Sequence, residues 1–246
     1  NGYNEGTLGD NSFVTKDGGY TINYDEIIGW ENNLTVEVLK AGDKVNYVDK
    51  QGNTIECVVL YDTNYNETNG TNYGVQIIAS DVVCDVTLGY NDPTAIGNTN
   101  FEKAKYSYDN VISTLNKKAM EYLNAEYARD ARCVGTAPNN KNEGKYDIDC
   151  NQMNKIGSGI TNIGKTYWLA YNNSDGAAGT IYYMVYFVSN SGQVTNNWLY
   201  NANSFAGSSV GESYTNGFRP VFTLNSDINI INGEGVNTPY TLESKN

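Results

Sequence analysis

Histidine is absent from all 246 residues. That removes Ser-His-Asp and Cys-His nucleophile systems and every histidine-containing metal site. Apolar residues are scarce too, at 39% of the chain. Polar uncharged side chains fill the gap, with 37 asparagines and 21 tyrosines. Basic residues number 16 against 28 acidic ones, a net charge of −12. A surface of that sign repels phosphate backbones, so nucleic acid is not an expected partner. No apolar run approaches the roughly 20 residues of a membrane-spanning helix. Any membrane attachment is expected through a segment outside this sequence. The chain starts at Asn1 and shows no signal peptide, so it reads as a mature or truncated ectodomain, and its Asn- and Tyr-rich, Lys-poor composition suits an extracellular, cell-surface location.

Charge is also missing from one part of the chain. Residues 1–150 carry 23 acidic and 12 basic side chains, whereas 151–246 carry 5 and 4. The second part must stay solvated through Asn, Ser, Thr, Gly and tyrosine hydroxyls. The four cysteines, 57, 84, 133 and 150, form no CxxC pair, and four cysteines allow three connectivities. Order along the chain favours Cys57–Cys84 and Cys133–Cys150 disulfides, each closing a short loop; free thiols in a reducing compartment are the alternative.

Residues 1–35 are Gly- and Asn-rich with weak patterning and read as a loosely held lead-in to a single domain over 36–246. The alternation of Lys44–Val48, a polar turn and the β-branched run Ile55–Tyr61 predict a hairpin. A strand is expected within Tyr73–Val83. Tyr108, Val111, Ile112, Leu115, Ala119, Tyr122 and Leu123 recur at helical spacing, which predicts one main helix from about Phe101 to Ala128. A short helix is expected from Cys150 to about Ile156. Strands are predicted at Tyr167–Ala170, Ile181–Val188, Phe218–Leu224 and Tyr240–Leu242. Tyr240–Leu242 lacks an obvious partner. The fold class is therefore α+β, with mixed antiparallel sheets, one main helix and a loop-rich C-terminal half.

The window 176–217 holds 42 residues and a single charge, Glu212, and 23 of its residues are Tyr, Asn, Ser or Gly. This is the composition of an antibody-type paratope, in which rigid aromatic rings supply contact area and small polar residues supply adaptable hydrogen bonds. Alternation along Ile181–Val188 puts Tyr183, Val185 and Phe187 on one face and Tyr182, Met184 and Tyr186 on the other. The first set is the more apolar and is assigned to the core. The expected ligand-binding residues are then Tyr182, Met184, Tyr186, Asn190, Thr195, Asn196, Asn197, Trp198, Tyr200, Asn201, Asn203 and Tyr214. Tyr186 has a second reading, as a ring capping the core.

Several blocks resemble one group of proteins: Ala41-Gly42-Asp43-Lys44-Val45-Asn46-Tyr47, Asp85-Val86-Thr87-Leu88-Gly89-Tyr90, Tyr167-Trp168-Leu169-Ala170, Val188-Ser189-Asn190-Ser191-Gly192 and Gly217-Phe218-Arg219-Pro220-Val221-Phe222-Thr223-Leu224. Asn232–Gly235 with Pro239–Leu242 completes the set, over roughly 40–242. These look like bacterial surface and pilin-like proteins whose domain is similar to the C-type lectin fold of the formylglycine-generating-enzyme branch. In that branch, diversity-generating retroelements vary the segment just before a block like Gly-Phe-Arg-Pro. The resemblance implies a variable, receptor- or adhesin-type binding protein, with 176–217 as the displayed segment. It also implies that the ends of the domain come together, which puts Tyr240–Leu242 beside Lys44–Val48. Met184, Gln193, Trp198 and Glu212 lie outside what mutation at template adenines reaches and would be fixed in the template.

The same resemblance sets limits on chemistry. The Glu-Pro-Asn, Gln-Pro-Asp and Trp-Asn-Asp motifs of calcium-dependent sugar readers are missing. All four cysteines precede residue 151, so the copper-binding cysteine pair of the formylglycine-generating enzymes is not carried over. Asn172–Asp175 and Asp147–Asp149 offer oxygen ligands but read as turns. No enzyme activity, cofactor or metal is therefore expected. Arg219, alone in a charge-poor region, is expected to form a buried ion pair with Asp227 or an acid of the front half, or else to meet an acidic ligand. The partner is expected to be an unidentified protein or glycan, met by a monomer or a pilus-like assembly. The alternative is a structural pilin-like or surface-layer subunit.

Overall fold

The computed structural model describes residues 12–14, 21–23, 35–63, 73–136, 146–176, 180–203 and 208–244. Two short strands near the start, β1 (Ser12–Val14) and β2 (Thr21–Asn23), pair with each other. The rest of the described chain is α+β, built on two large mixed sheets.

The first sheet has seven strands. Its hairpin is the predicted one, β3 (Lys44–Val48) with β4 (Thr54–Tyr61). Beside β4 runs β5 (Gln76–Ala79), shorter than the expected Tyr73–Val83 segment. The second sheet opens with β6 (Cys84–Gly89). Helix α1 follows, Asn100–Met120, started by a capping box: Thr99 accepts from Glu102 N–H while the Glu102 carboxylate accepts from Thr99 N–H. It ends eight residues before the expected end at Ala128. The last turn tightens, with Glu121, Tyr122 and Leu123 N–H donating three residues back to Lys118, Ala119 and Met120, and a separate turn follows in which the Asn124 carbonyl takes the Tyr127 and Ala128 N–H groups and its side chain takes the Glu126 N–H. Ala128–Cys133 is instead strand β7 of the first sheet.

Helix α2 (Tyr146–Ile156) and the single-turn helix α3 (Ser158–Thr161) precede the C-terminal part. That part is rich in strands rather than loops: β8 (Tyr167–Asp175), β9 (Thr180–Val188), β10 (Val194–Asn203), β11 (Ser208–Gly211), β12 (Ser213–Phe218), β13 (Pro220–Leu224), β14 (Asn229–Asn232) and β15 (Tyr240–Glu243). Its Asn, Ser and Tyr residues sit in regular ladders, where their backbone groups are paired whatever their side-chain polarity. Asn172–Asp175 lies on β8 and Asp147–Asp149 on α2, so neither is a turn.

The strand orders are β14-β15-β3-β4-β5-β13-β7 and β11-β10-β9-β8-β12-β6. As expected, the last strand lies beside the first of its sheet, in parallel, with Tyr240 opposite Val45 and Thr241 opposite Asn46. The predicted single strand Phe218–Leu224 is two strands. Phe218 ends β12 in one sheet and Pro220 starts β13 in the other. Arg219 occupies the crossing, fully buried, with Nε donating to Ala79 O at 2.9 Å and Nη1 to Ile160 O at 2.8 Å. Its Cζ lies 4.7 Å from the Tyr167 ring centroid. Carbonyls and a ring thus hold this cation, with no carboxylate in ion-pair contact among the described residues; burial lowers its pKa, while Tyr167 and the more distant Asp81 of the front half oppose that shift.

The core runs through both sheets, with Tyr47 stacked on Phe222 at 4.0 Å between centroids and Trp168 fully buried. Helix α1 packs on the second sheet and against β7. None of the four cysteines is joined in a disulfide, so neither expected bridge is present. Cys57 sits in the first sheet and Cys84 in the second, while Cys133 and Cys150 are buried on β7 and α2. Closeness in sequence did not produce either bond; the Cys133 thiol instead donates to Trp168 O at 3.7 Å.

Candidate functional site

Strands β9 to β11 carry most of the window 176–217, with β8 paired beside β9, and the register of the four decides which side chains share a face. Residues directly opposite in an antiparallel pair project to the same side. Asp175, Tyr182, Asn201 and Val210 form one cross-strand row, and Asn173, Met184 and Trp198 the next. The Tyr182 and Trp198 rings meet at 4.4 Å between centroids, tilted by 37°. Trp198 is nevertheless 47% exposed and Val210 also 47%. This outer face is therefore an open, flat aromatic and aliphatic patch edged by amides and the Asp175 carboxylate. At its margin Asn201 Oδ1 is buried with no hydrogen-bond donor.

The opposite face of the same strands packs under α1. Tyr183 meets Tyr108 edge-on at 4.6 Å and Tyr200 at 4.7 Å, and Phe101 lies 4.4 Å from Tyr200. Lys105 Nζ stands 5.8 Å from the Tyr183 ring centroid. Burial pushes the Tyr108 phenol up to about 12 and also raises that of Tyr200. Gly211 brings β11 under the helix start; a Cβ there would lie 2.4 Å from Asn100 O.

Tyr200 therefore belongs to the core and not to the predicted surface. The cause is a bulge in β10 between Trp198 and Tyr200. The extra residue breaks the period of two, so Leu199 and Tyr200 both turn inward, and Tyr200 is 6% exposed. Thr195 and Asn197 stand opposite Phe187 and Val185, on the inner side, whereas Asn196 shares the Tyr186 side. Tyr186 takes its second reading: its ring packs edge-on against Tyr171 at 4.8 Å and against the core. Tyr214 is half-buried against the core on β12, opposite Leu88. Asn203 pairs with Ser208 at the end of β10; its side chain lies outside the described residues. Asn190 is exposed on the β9–β10 turn, where it lines a separate cleft of about 380 Å³ with Asp85, Lys165 and Asn216. In this turn Gly192 has φ 82° and packs on Asn162, leaving no room for a side chain.

Compared with family models, curated proteins and solved structures, the chain matches none. The site therefore rests on its own geometry. Of the twelve predicted ligand residues, Tyr182, Met184, Trp198 and Asn201 come together on one open face. Val210, Asn173 and Asp175 complete it. Asn173 and Asp175 carried a readable signal, an extension of β8 beyond Ala170, but an all-polar run hides alternation. Among the described residues, no group of three or more Cys, Asp or Glu side chains is placed to hold a metal ion.

Proposed function

We propose that this chain is an extracellular, non-enzymatic binding protein that meets a partner protein through the outer face of β8–β11. The observation that carries this reading is the exposed Trp198 in ring contact with the half-buried Tyr182, flanked by Met184 and Val210. A tryptophan left about half exposed contributes far less to folding than a buried one, whereas Trp and Tyr dominate the energy of protein interfaces. A flat sheet face suits a folded partner surface. The resemblance to C-type-lectin-like variable proteins agrees with this, since it also assigns display to 176–217. The α+β architecture is compatible with that fold.

The test is a protein and glycan array probed with the intact chain, followed by Trp198→Ala. Truncation at such a position costs about 2 kcal/mol or more, roughly thirtyfold in affinity. Binding should depend weakly on salt, because Asp175 is the one charge in the two cross-strand rows. Unchanged affinity in Trp198→Ala would remove this face as the site. The structural-subunit alternative draws on β11, an edge strand with exposed Val210. Concentration-dependent self-assembly that Val210→Lys abolishes would favour it.

A further inference from the structure

Strand β6 ends the six-stranded sheet, and β12 is its ladder neighbour among the described residues. Asp85 stands opposite Gly217, Thr87 opposite Thr215 and Gly89 opposite Ser213. In an antiparallel pair, opposed residues alternate between exchanging both hydrogen bonds and exchanging none. Three bonds set the phase here. Gly217 N–H donates away from β6, to Thr166 O at 3.1 Å. Gly89 N–H donates away from β12, to Ser107 Oγ at 2.8 Å. Tyr90 N–H donates towards β12, to Glu212 O at 3.1 Å. The Asp85, Thr87 and Gly89 pairs are therefore the non-exchanging ones. The 2.7 Å approach of Thr87 Oγ1 to Thr215 Oγ1 fits, since side chains come closer at such pairs. It follows that Asp85 and Thr87 point two N–H and two C=O groups off the free edge of the sheet.

That edge is one wall of a groove of about 660 Å³. The other wall is a flank of α1, with Tyr106, Asn110, Ser113, Thr114 and Lys117. One end is closed where Ser107 holds the Gly89 N–H and the 91–94 turn folds over. The charge lining it is close to balanced, Lys117 and Lys118 against Asp85, Asp92 and Glu121, and the buried Asp92 carboxylate is already taken up by Ser107 Oγ and by the N–H and hydroxyl of Thr94. Lys118 is tied to Glu121 at 2.6 Å, and the exposed Lys117 faces a groove that also holds exposed Asp85.

We infer that this groove binds an extended, uncharged peptide segment of a partner protein, which adds to β6 as a further strand. The free donors and acceptors of Asp85 and Thr87 repeat at two-residue strand spacing, about 6.6 Å, which matches another peptide backbone. A glycan has no donor and acceptor row at that repeat. The hydroxyl and amide wall of α1 accepts small polar side chains, and Val86, Pro93 and the Tyr106 ring supply apolar contact. This site is separate from the Trp198 face.

Proline scanning tests it directly. Thr87 N–H does not donate to β12, so Thr87→Pro removes an edge donor and keeps the ladder, as edge strands allow. Val86→Pro strikes the ladder side and serves as the destabilising control. Lys117→Trp fills the groove from the helix without touching the strand, and carries the test alone if Thr87→Pro misfolds. The probe is an array of capped hexapeptides alternating Val, Ile or Tyr with Ser, Thr or Asn, with the best binder then used in solution. Amide exchange at Asp85 and Thr87 should be fast in the free chain and at least tenfold slower with peptide. Lys117→Trp and folded Thr87→Pro should each weaken binding at least tenfold, whereas Trp198→Ala should leave it unchanged. The inference is overturned by an array without binders, by binding that survives the folded groove variants, or by slow exchange of both amides in the free chain. A homodimer lost in Thr87→Pro would also overturn it, giving the edge to a second copy, as would a glycan whose binding Lys117→Trp alone blocks.

Discussion

Arg132 and Asp149 form a fully buried ion pair, with Nη1 2.8 Å and Nη2 3.2 Å from the two carboxylate oxygens. It joins β7 to α2, and its other partners draw in more of the first sheet. Tyr61 OH donates to Asp149, Gly135 N–H donates to it at 2.7 Å, and Arg132 donates to Gln76 Oε1 at 3.1 Å and to the Thr136 carbonyl. Removing one charge strands the other away from water. Asp149→Ala should therefore cost about 3–5 kcal/mol, whereas Arg132→Met with Asp149→Leu should recover most of that loss. Urea unfolding of the three proteins checks the ordering; an Asp149→Ala loss below about 1 kcal/mol would contradict it.

The thiols give a second expectation. Cys57, Cys133 and Cys150 are buried, and burial pushes the Cys57 and Cys133 thiols up, away from the reactive thiolate. Cys84 alone is part-exposed. Native alkylation should label Cys84 first, and denaturation without reductant should bring all four into reaction. A mass showing two fewer labels in the absence of reductant would restore a disulfide.

Tyr200 and Trp198 are two residues apart and should behave oppositely. Tyr200→Ala opens a cavity beside Phe101 and Tyr183 and should cost about 3 kcal/mol. Trp198→Ala, on the open face, should cost less than about 1 kcal/mol. Equal losses would mean that the bulge at Leu199 is absent.

Alkaline pH supplies a fourth test. Burial raises the phenols of Tyr167 and Tyr108 from an ordinary value near 10 to about 12. The unfolded chain then loses these protons first, so stability is intact below about pH 10 and falls between about 10 and 12. For fully buried Tyr167 the loss approaches about 2–3 kcal/mol; for the less buried Tyr108 it is smaller. Tyr167→Phe, already weaker by the bond to Thr161 O, should lose stability less steeply over that window. Parallel pH profiles would contradict the assignment.

What could be read from the sequence follows how local each signal is. The β3–β4 hairpin, the body of α1 and strand β9 were legible because alternation or helical spacing marks them within a few residues. The β15–β3 pairing was expected through the resemblance, in which the ends of the domain meet; Tyr240-Thr241-Leu242 by itself shows only a strand with no near neighbour to pair with. The passage of the chain between sheets at Arg219 was not, since one buried cation before a proline looks the same inside a single strand. The bulge at Leu199 has no glycine or proline to announce it, and so Tyr200 fell on the wrong face. Asn196 and Asn197 cannot both face a ligand from a regular strand; composition suggested both, and the period of two kept only Asn196 on the outer side. Arg132 and Asp149, 17 residues apart, show nothing in sequence that tells a core pair from two surface charges.

The crossing at Arg219 has a mechanical consequence. Because β12 and β13 are one continuous backbone, a pull that peels β6 from β12 runs straight along the chain into β13, between β5 and β7. Neither sheet can yield by itself while the Arg219 side chain, anchored to Ala79 and Ile160, acts as a rivet at the joint. Under the proposed binding role, load taken up along β12 would pass through this joint into β13, and so into the first sheet, before β12 could separate.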